Sequence, residues 1–172
     1  MIESRTNYVI LGDKFPFITM SRKPSRVSEP EVATYRKAAL SVCDILNVNA
    51  SHLDEPLSRV ETCRNGLEKN SFESLKEVSG LDNNTLAAAL GVSAKTLQRK
   101  EIFDTVQSEK MYELAELYAL GNNYFGKEGF RRWMDRPLFS IGNIKPIELI
   151  DVSEGLDLLK SEIMRLQHGI AV

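Results

Sequence analysis

Lys95, Thr96, Gln98 and Arg99 stand within five residues and are followed at once by Lys100, with no acidic residue among them. Their donors suit the edges and backbone of a duplex. Arginine can bond guanine bidentately, glutamine can bond adenine, and threonine can touch a phosphate or a thymine methyl. Lys95 and Lys100 suit phosphates, which fix position without reading sequence. Ser93 can cap the helix that carries these residues and completes the candidate DNA-binding set. A second reading stays open, in which the same residues are the ordinary charged surface of a solvent-facing helix.

No other constellation in the chain suggests chemistry. Cys43, Cys63, His52 and His168 form no C-x-x-C, no H-E-x-x-H and no cluster at metal-ligand spacing. Both cysteines fall in apolar-periodic segments, which predicts buried thiols in a reducing compartment. His52, in a Ser-His-Leu-Asp turn, and His168, near the C-terminal end, read as surface groups. Gly126 and Gly129 fit neither the Walker nor the Rossmann spacing. The expectation is a non-enzyme without catalytic residues, metal or cofactor.

The elements that must position the donors are legible around them. Asp82 can cap a short helix that turns Leu86, Ala87 and Leu90 inward. Gly91 follows where a positive φ is needed, Val92 plugs the corner, and Leu97 anchors the second helix. This is a helix-turn-helix pattern. Upstream, Ser28 with Pro30 predicts a helix whose stripe is Val32, Tyr35, Ala39, Val42 and Leu46. Leu57, Val60 and Cys63 suggest another, ending at Gly66. Asn70 and Glu73 predict a capping box for a third, closed by Gly80. Downstream, Ser108 is a candidate cap for a helix facing Met111, Leu114, Tyr118 and Gly121 inward. Gly126 and Gly129 bracket a turn before the bulky Phe130, Trp133 and Met134. Ser153 can cap the last helix, whose stripe of Val152, Leu156, Leu159, Ile163, Leu166 and Ile170 suits a core or a dimer seam. Tyr8–Leu11 could be a short strand.

The 172 residues suit one domain or two small ones. With 42% hydrophobic and 27% charged residues, wholesale disorder is excluded. The net charge of −2 excludes a polybasic coat. It divides unevenly: residues 1–40 carry seven basic and four acidic groups, residues 41–172 carry 15 and 20. Arg22, Lys23 and Arg26 make a small basic cluster in the first part, either a phosphate-seeking arm or a solvated tail. No apolar run suits a signal-peptide core or approaches the ~18 residues of a bilayer span, so a cytoplasmic protein without membrane contact is expected.

One further run is more specific. Arg131-Arg132-Trp133-Met134, Pro137, Gly142, Pro146-Ile147-Glu148-Leu149, Gly155 and Arg165-Leu166-Gln167-His168-Gly169 follow the helix-turn-helix in that order. Over roughly residues 56–172 the chain resembles the Xre/MbcA/ParS family of antitoxins, which pair with RES-domain toxins. It departs from the pattern at Asn143, where relatives carry a second glycine, and at Lys145, where they often carry Thr. Asn tolerates the left-handed backbone, so the loop is expected to persist.

The resemblance implies an all-α protein with an unmatched helical N-terminal region (1–55), a DNA-binding domain (56–120) and a toxin-binding domain (121–172). It implies a homodimer that represses its own operon at operator DNA, and a C-terminal end that blocks the cleft of a NAD-consuming RES toxin. The residues so assigned are Arg165, His168, Gly169, Ile170, Ala171 and Val172. The competing function is a free-standing repressor whose C-terminal segment dimerises or binds a ligand.

Overall fold

The 3-4 spacing of apolar residues is answered by helices throughout the computed structural model, which describes residues 39–169. The all-α class holds, with no strand among the described residues. Tyr8–Leu11, the Arg22, Lys23 and Arg26 cluster, and Ser28 through Tyr35 lie outside the described residues. The predicted first helix does not run unbroken to Leu46. Ser41 is extended (φ −95°, ψ 162°) and starts a new helix, α1 (Val42–Leu46), through a reciprocal box with Asp44. The Ser41 hydroxyl accepts from the Asp44 amide at 3.1 Å, and the Asp44 carboxylate accepts from the Ser41 amide at 2.9 Å. A local cap thus overrides the longer stripe. The Asn123 side chain exchanges two hydrogen bonds with the Leu40 backbone, at 2.8 and 2.9 Å, and fixes how the chain enters α1.

After a 3-10 turn at Ala50–His52 come α2 (Pro56–Asn65) and α3 (Lys69–Ser79). Helix α2 ends at Gly66 as read, but its predicted stripe is not a core stripe, because Leu57 and Val60 face solvent. Helix α3 ends at left-handed Gly80 as read, yet the Asn70–Glu73 box does not form, because Asn70 is already inside the helix. Tertiary pairing starts it earlier. Glu68 bridges Ile102, the Lys69 amide donates to the Glu101 carbonyl, and the Phe103 amide donates to the Leu67 carbonyl, both at 2.8 Å. Next are α4 (Asn83–Ala89) and α5 (Ala94–Arg99).

The core is organised on α6 (Thr105–Phe125), which packs against α1, α2, α3, α7 (Lys127–Met134) and α8 (Ser153–Gln167). Its 21 residues make a rod about 31 Å long. Met111, Leu114, Tyr118 and Gly121 face inward as expected. Ser108 is not its cap: Asp104 and Gln107 form the box, and Ser108 is wholly buried, accepting from the Leu67 amide at 2.9 Å. Gly126 (φ 72°) makes the corner to α7, whereas Gly129 lies within α7 rather than in a turn. Phe125, Phe130 and Trp133 stack there, with Tyr118 edge-on to Phe130.

Two 3-10 turns, Phe139–Ile141 and Pro146–Leu149, lead into α8. Gly142 (φ 80°) and Asn143 (φ 62°) are both left-handed, so asparagine does keep the loop. Lys145 precedes the second turn without a side-chain cap and bonds Asp135 at 3.0 Å instead. Ser153 does not cap α8, since its first-turn hydroxyl is held by Lys110 and Glu113 of α6, at 2.9 Å each. Leu156, Leu159 and Ile163 are core, while Val152 is exposed and Ile170 lies outside the described residues.

Candidate functional site

The helix-turn-helix forms as its local signals require. The Asp82 carboxylate accepts from the Thr85 amide at 2.9 Å, and hydrogen bonding from the Thr85 side chain first, then from its amide, holds the Asp82 pKa below the usual carboxylate range. Leu86, Ala87 and Leu90 are buried, Gly91 turns at φ 67°, and Val92 is half-buried at the corner. The Ser93 hydroxyl accepts from the Thr96 amide at 3.1 Å and caps α5. Leu97 is buried beneath it.

The opposite face of α5 presents Lys95, Thr96, Gln98 and Arg99 to solvent. Ser93, Lys95, Thr96, Arg99 and Lys100 line one surface depression. The Ser93 and Thr96 hydroxyls are 2.8 Å apart and bond each other, so one of their protons is already committed. Lys100 differs from its neighbours. Its ammonium is paired with Asp104 at 2.9 Å, contacts Gln107, and lies 6.0 Å from the centre of the Phe103 ring. It is half-buried rather than free, because it completes the box that starts α6. The Lys100 hydrogen bond lowers the Asp104 pKa.

Two supports of this surface carried no signal in the sequence pattern. Lys69 donates to the Gln98 carbonyl at 3.3 Å and pairs with Glu101 at 3.1 Å, tying the end of α5 to α3. Phe103 is fully buried, with its ring 5.4 Å from that of Phe72, and seats the α5–α6 connection.

The other candidate residues sit at the far end of α8. The Arg165 guanidinium donates to Glu162 at 2.9 Å, His168 is exposed at the helix end, and Gly169 is left-handed at φ 70°. The Tyr124 hydroxyl donates to the Leu166 carbonyl at 3.1 Å and holds that end against α6. Ile170, Ala171 and Val172 lie outside the described residues. A sequence pattern gives no sign that Ser140, in the Phe139–Ile141 turn, reaches Glu162 of α8, 2.6 Å away.

Both cysteines are free and half-buried rather than buried. Burial first, then nearby carboxylates, pushes both thiols up, so they are protonated and weakly nucleophilic near neutral pH. His52 and His168 are both exposed. Among the described residues, no helix is long and apolar enough to cross a membrane.

Comparison with known proteins divides the chain in the same order as its surfaces. The antitoxin Xre-like helix-turn-helix domain matches residues 58–116. The antitoxin Xre/MbcA/ParS C-terminal toxin-binding domain matches residues 120–169. A relative from Sphingobium sp. (strain YBL2), described as Prs ADP-ribosylating antitoxin, is 21% identical over 128 residues, covering 66% of this chain and 80% of its own.

Proposed function

The chain belongs to the Xre/MbcA/ParS antitoxins, and from that premise we propose that it neutralises a RES-domain, NAD-consuming toxin and represses its own operon. The observation that carries this reading is the succession of the two matched domains along one chain. The outward face of α5 supports the DNA half: the side chains of Lys95, Gln98 and Arg99 have no partner among the described residues, and Thr96 shares its hydroxyl only with Ser93. Ser93 acts through its cap, and Lys100 through a phosphate contact that must be shared with Asp104. ADP-ribosyl transfer takes its ADP-ribose from NAD, so the wording of the relative's description supports an NAD-consuming partner.

In this reading the working division falls near residue 120, with the operator read before it and the toxin held after it. Arg165, His168 and Gly169 lead the terminal Ile170, Ala171 and Val172 towards the toxin's cleft. A short tail ending in a carboxylate suits a cationic pocket built for a phosphate-bearing substrate. The protein itself catalyses nothing, works in the cytoplasm and binds its operator as a homodimer. The middle of the α8 stripe is core, so the second copy meets another face. Leu57, Val60, Ile102 and Val106 are the exposed apolar side chains flanking the helix-turn-helix.

Co-expression with the product of the neighbouring reading frame tests the proposal. Restored growth and co-purification are expected. Failure of both leaves the free-standing repressor as the reading.

A further inference from the structure

Phe139 is the most exposed large apolar side chain among the described residues, 91% open to water. A lone exposed apolar residue calls for no explanation. This one is held out on a fixed turn. The Leu138 amide donates to the Ile144 carbonyl at 3.1 Å, the Asn143 amide to the Leu138 carbonyl at 2.8 Å, and the Gly142 amide to the Phe139 carbonyl at 3.1 Å. Two consecutive left-handed residues, Gly142 and Asn143, close it. Next to Phe139, the Ser140 hydroxyl donates to Glu162 at 2.6 Å. Glu162 is buried, and its other carboxylate oxygen accepts from Arg165 at 2.9 Å. The turn is therefore pinned to α8, on the face that carries Leu158 one helical turn before Glu162 and Arg165 one turn after. Leu158 is itself 47% exposed.

The result is an aromatic side chain set out in water by a backbone turn that is fixed before any partner arrives, with the polar Ser140–Glu162–Arg165 chain beside it. An aromatic anchor with a polar border is the composition of an interface hot spot, and a turn already fixed leaves only the side chain to be ordered on binding. Phe139 offers no donor to a nucleic acid. The turn and α8 both lie inside the toxin-binding match at residues 120–169, and the same face leads along α8 to Arg165 and the C-terminal end. We propose that Phe139 is the apolar anchor of the toxin complex, seated in a pocket of the toxin beside the cleft that the C-terminal end enters. The proposal rests on the toxin-binding reading above and adds a second point of attachment to it.

The test uses the full chain and the protein encoded by the neighbouring reading frame, with affinity measured by titration calorimetry. Phe139→Ser should raise Kd on the order of 30-fold, the size of an aromatic hot spot. Its helix signal and Tm should match the wild type, because the side chain already stands in water. Glu73→Ser, at an exposed position on α3 outside the DNA-binding, dimer and toxin-binding sets, should leave Kd unchanged. If the wild type itself does not bind, the toxin reading fails and the anchor with it. If the wild type binds and Phe139→Ser binds equally well, only the anchor is overturned. If Phe139→Ser converts a dimer to a monomer in light scattering at unchanged toxin affinity, the occupant is a second copy and the proposal is likewise overturned.

Discussion

Replacing Gly155 by alanine pits two well-understood effects against each other. In an open helix the change would be favourable by up to about 1 kcal/mol, because glycine gives up more backbone freedom. Gly155 is not in the open. A methyl group there would drive into the Leu149 carbonyl oxygen and stand 3.0 Å from its carbon and 3.1 Å from Leu149 Cβ. The oxygen is the closest obstacle, and restoring an ordinary contact with it would require the Pro146–Leu149 turn and α8 to separate by roughly 1 Å. Backbone stands on both sides of the contact, and buried Pro146, Ile150 and Leu156 close it in. Overpacking of this kind costs ~1–3 kcal/mol, and a backbone collision belongs at the upper end. Subtracting the propensity gain leaves a net loss of about 1–2 kcal/mol. At roughly 2–4 °C per kcal/mol for a chain of this size, Tm falls by about 2–8 °C. Thermal unfolding followed by far-ultraviolet circular dichroism measures it. Gly129→Ala is the matched control, because its methyl group would meet only Phe125 Cβ, at 3.2 Å. It should be within about 0.5 kcal/mol of neutral or mildly stabilising. A Gly155→Ala protein as stable as the wild type, or more so, would refute the argument.

Arg99→Ala should weaken operator binding by roughly 10- to 100-fold in fluorescence anisotropy, as loss of a bidentate base contact does. Toxin neutralisation should survive that change, and equal loss of both would place the division of labour wrongly. Deleting residues 169–172 should impair neutralisation more than DNA binding, and an unaffected truncation would make the tail a bystander. Asp104, whose pKa the Lys100 hydrogen bond lowers, stabilises the fold above the ordinary carboxylate range and loses that contribution as pH falls through its lower folded value. The gap in urea midpoint between the wild type and Asp104→Asn should therefore shrink between about pH 7 and about pH 3. A gap that stays constant would mean that the ion pair contributes nothing to stability.

The helix-turn-helix was legible because each of its signals is local. Asp82 and Ser93 cap within three residues of themselves, Gly91 turns where it stands, and Leu97 needs only its own helix to point inward. The all-α class and the left-handed Asn143 followed from equally short-range reasons. Misreadings gathered where two residues competed for one role and a distant partner decided. Asp104 and Ser108 are both good caps, but the Leu67 amide needed the serine hydroxyl in the core. Asn70 lost its place because Glu68 pairs with Ile102, 34 positions along the chain. Lys100 looked like one donor among five until Asp104 and Gln107 folded back onto it. In the toxin-binding half, spacing found Leu156, Leu159 and Ile163, yet nothing local announces that Ser140 and Glu162 meet or that Phe139 stays outside.

Helix α6 runs unbroken from the end of the helix-turn-helix, past residue 120, into the corner before α7. The interval between the two matched domains, residues 117–119, therefore falls inside a single rod whose Leu114 and Leu117 are fully buried. A cut there would sever about one turn of helix and expose both hydrophobic faces at once, so neither half is a transplantable module. Damage to the rod's core lowers the folded population of both at once, so a variant there reports on stability before it reports on either surface. Only side chains beyond that scaffold, such as the solvent-facing Arg99 and Phe139, can be exchanged without that common penalty.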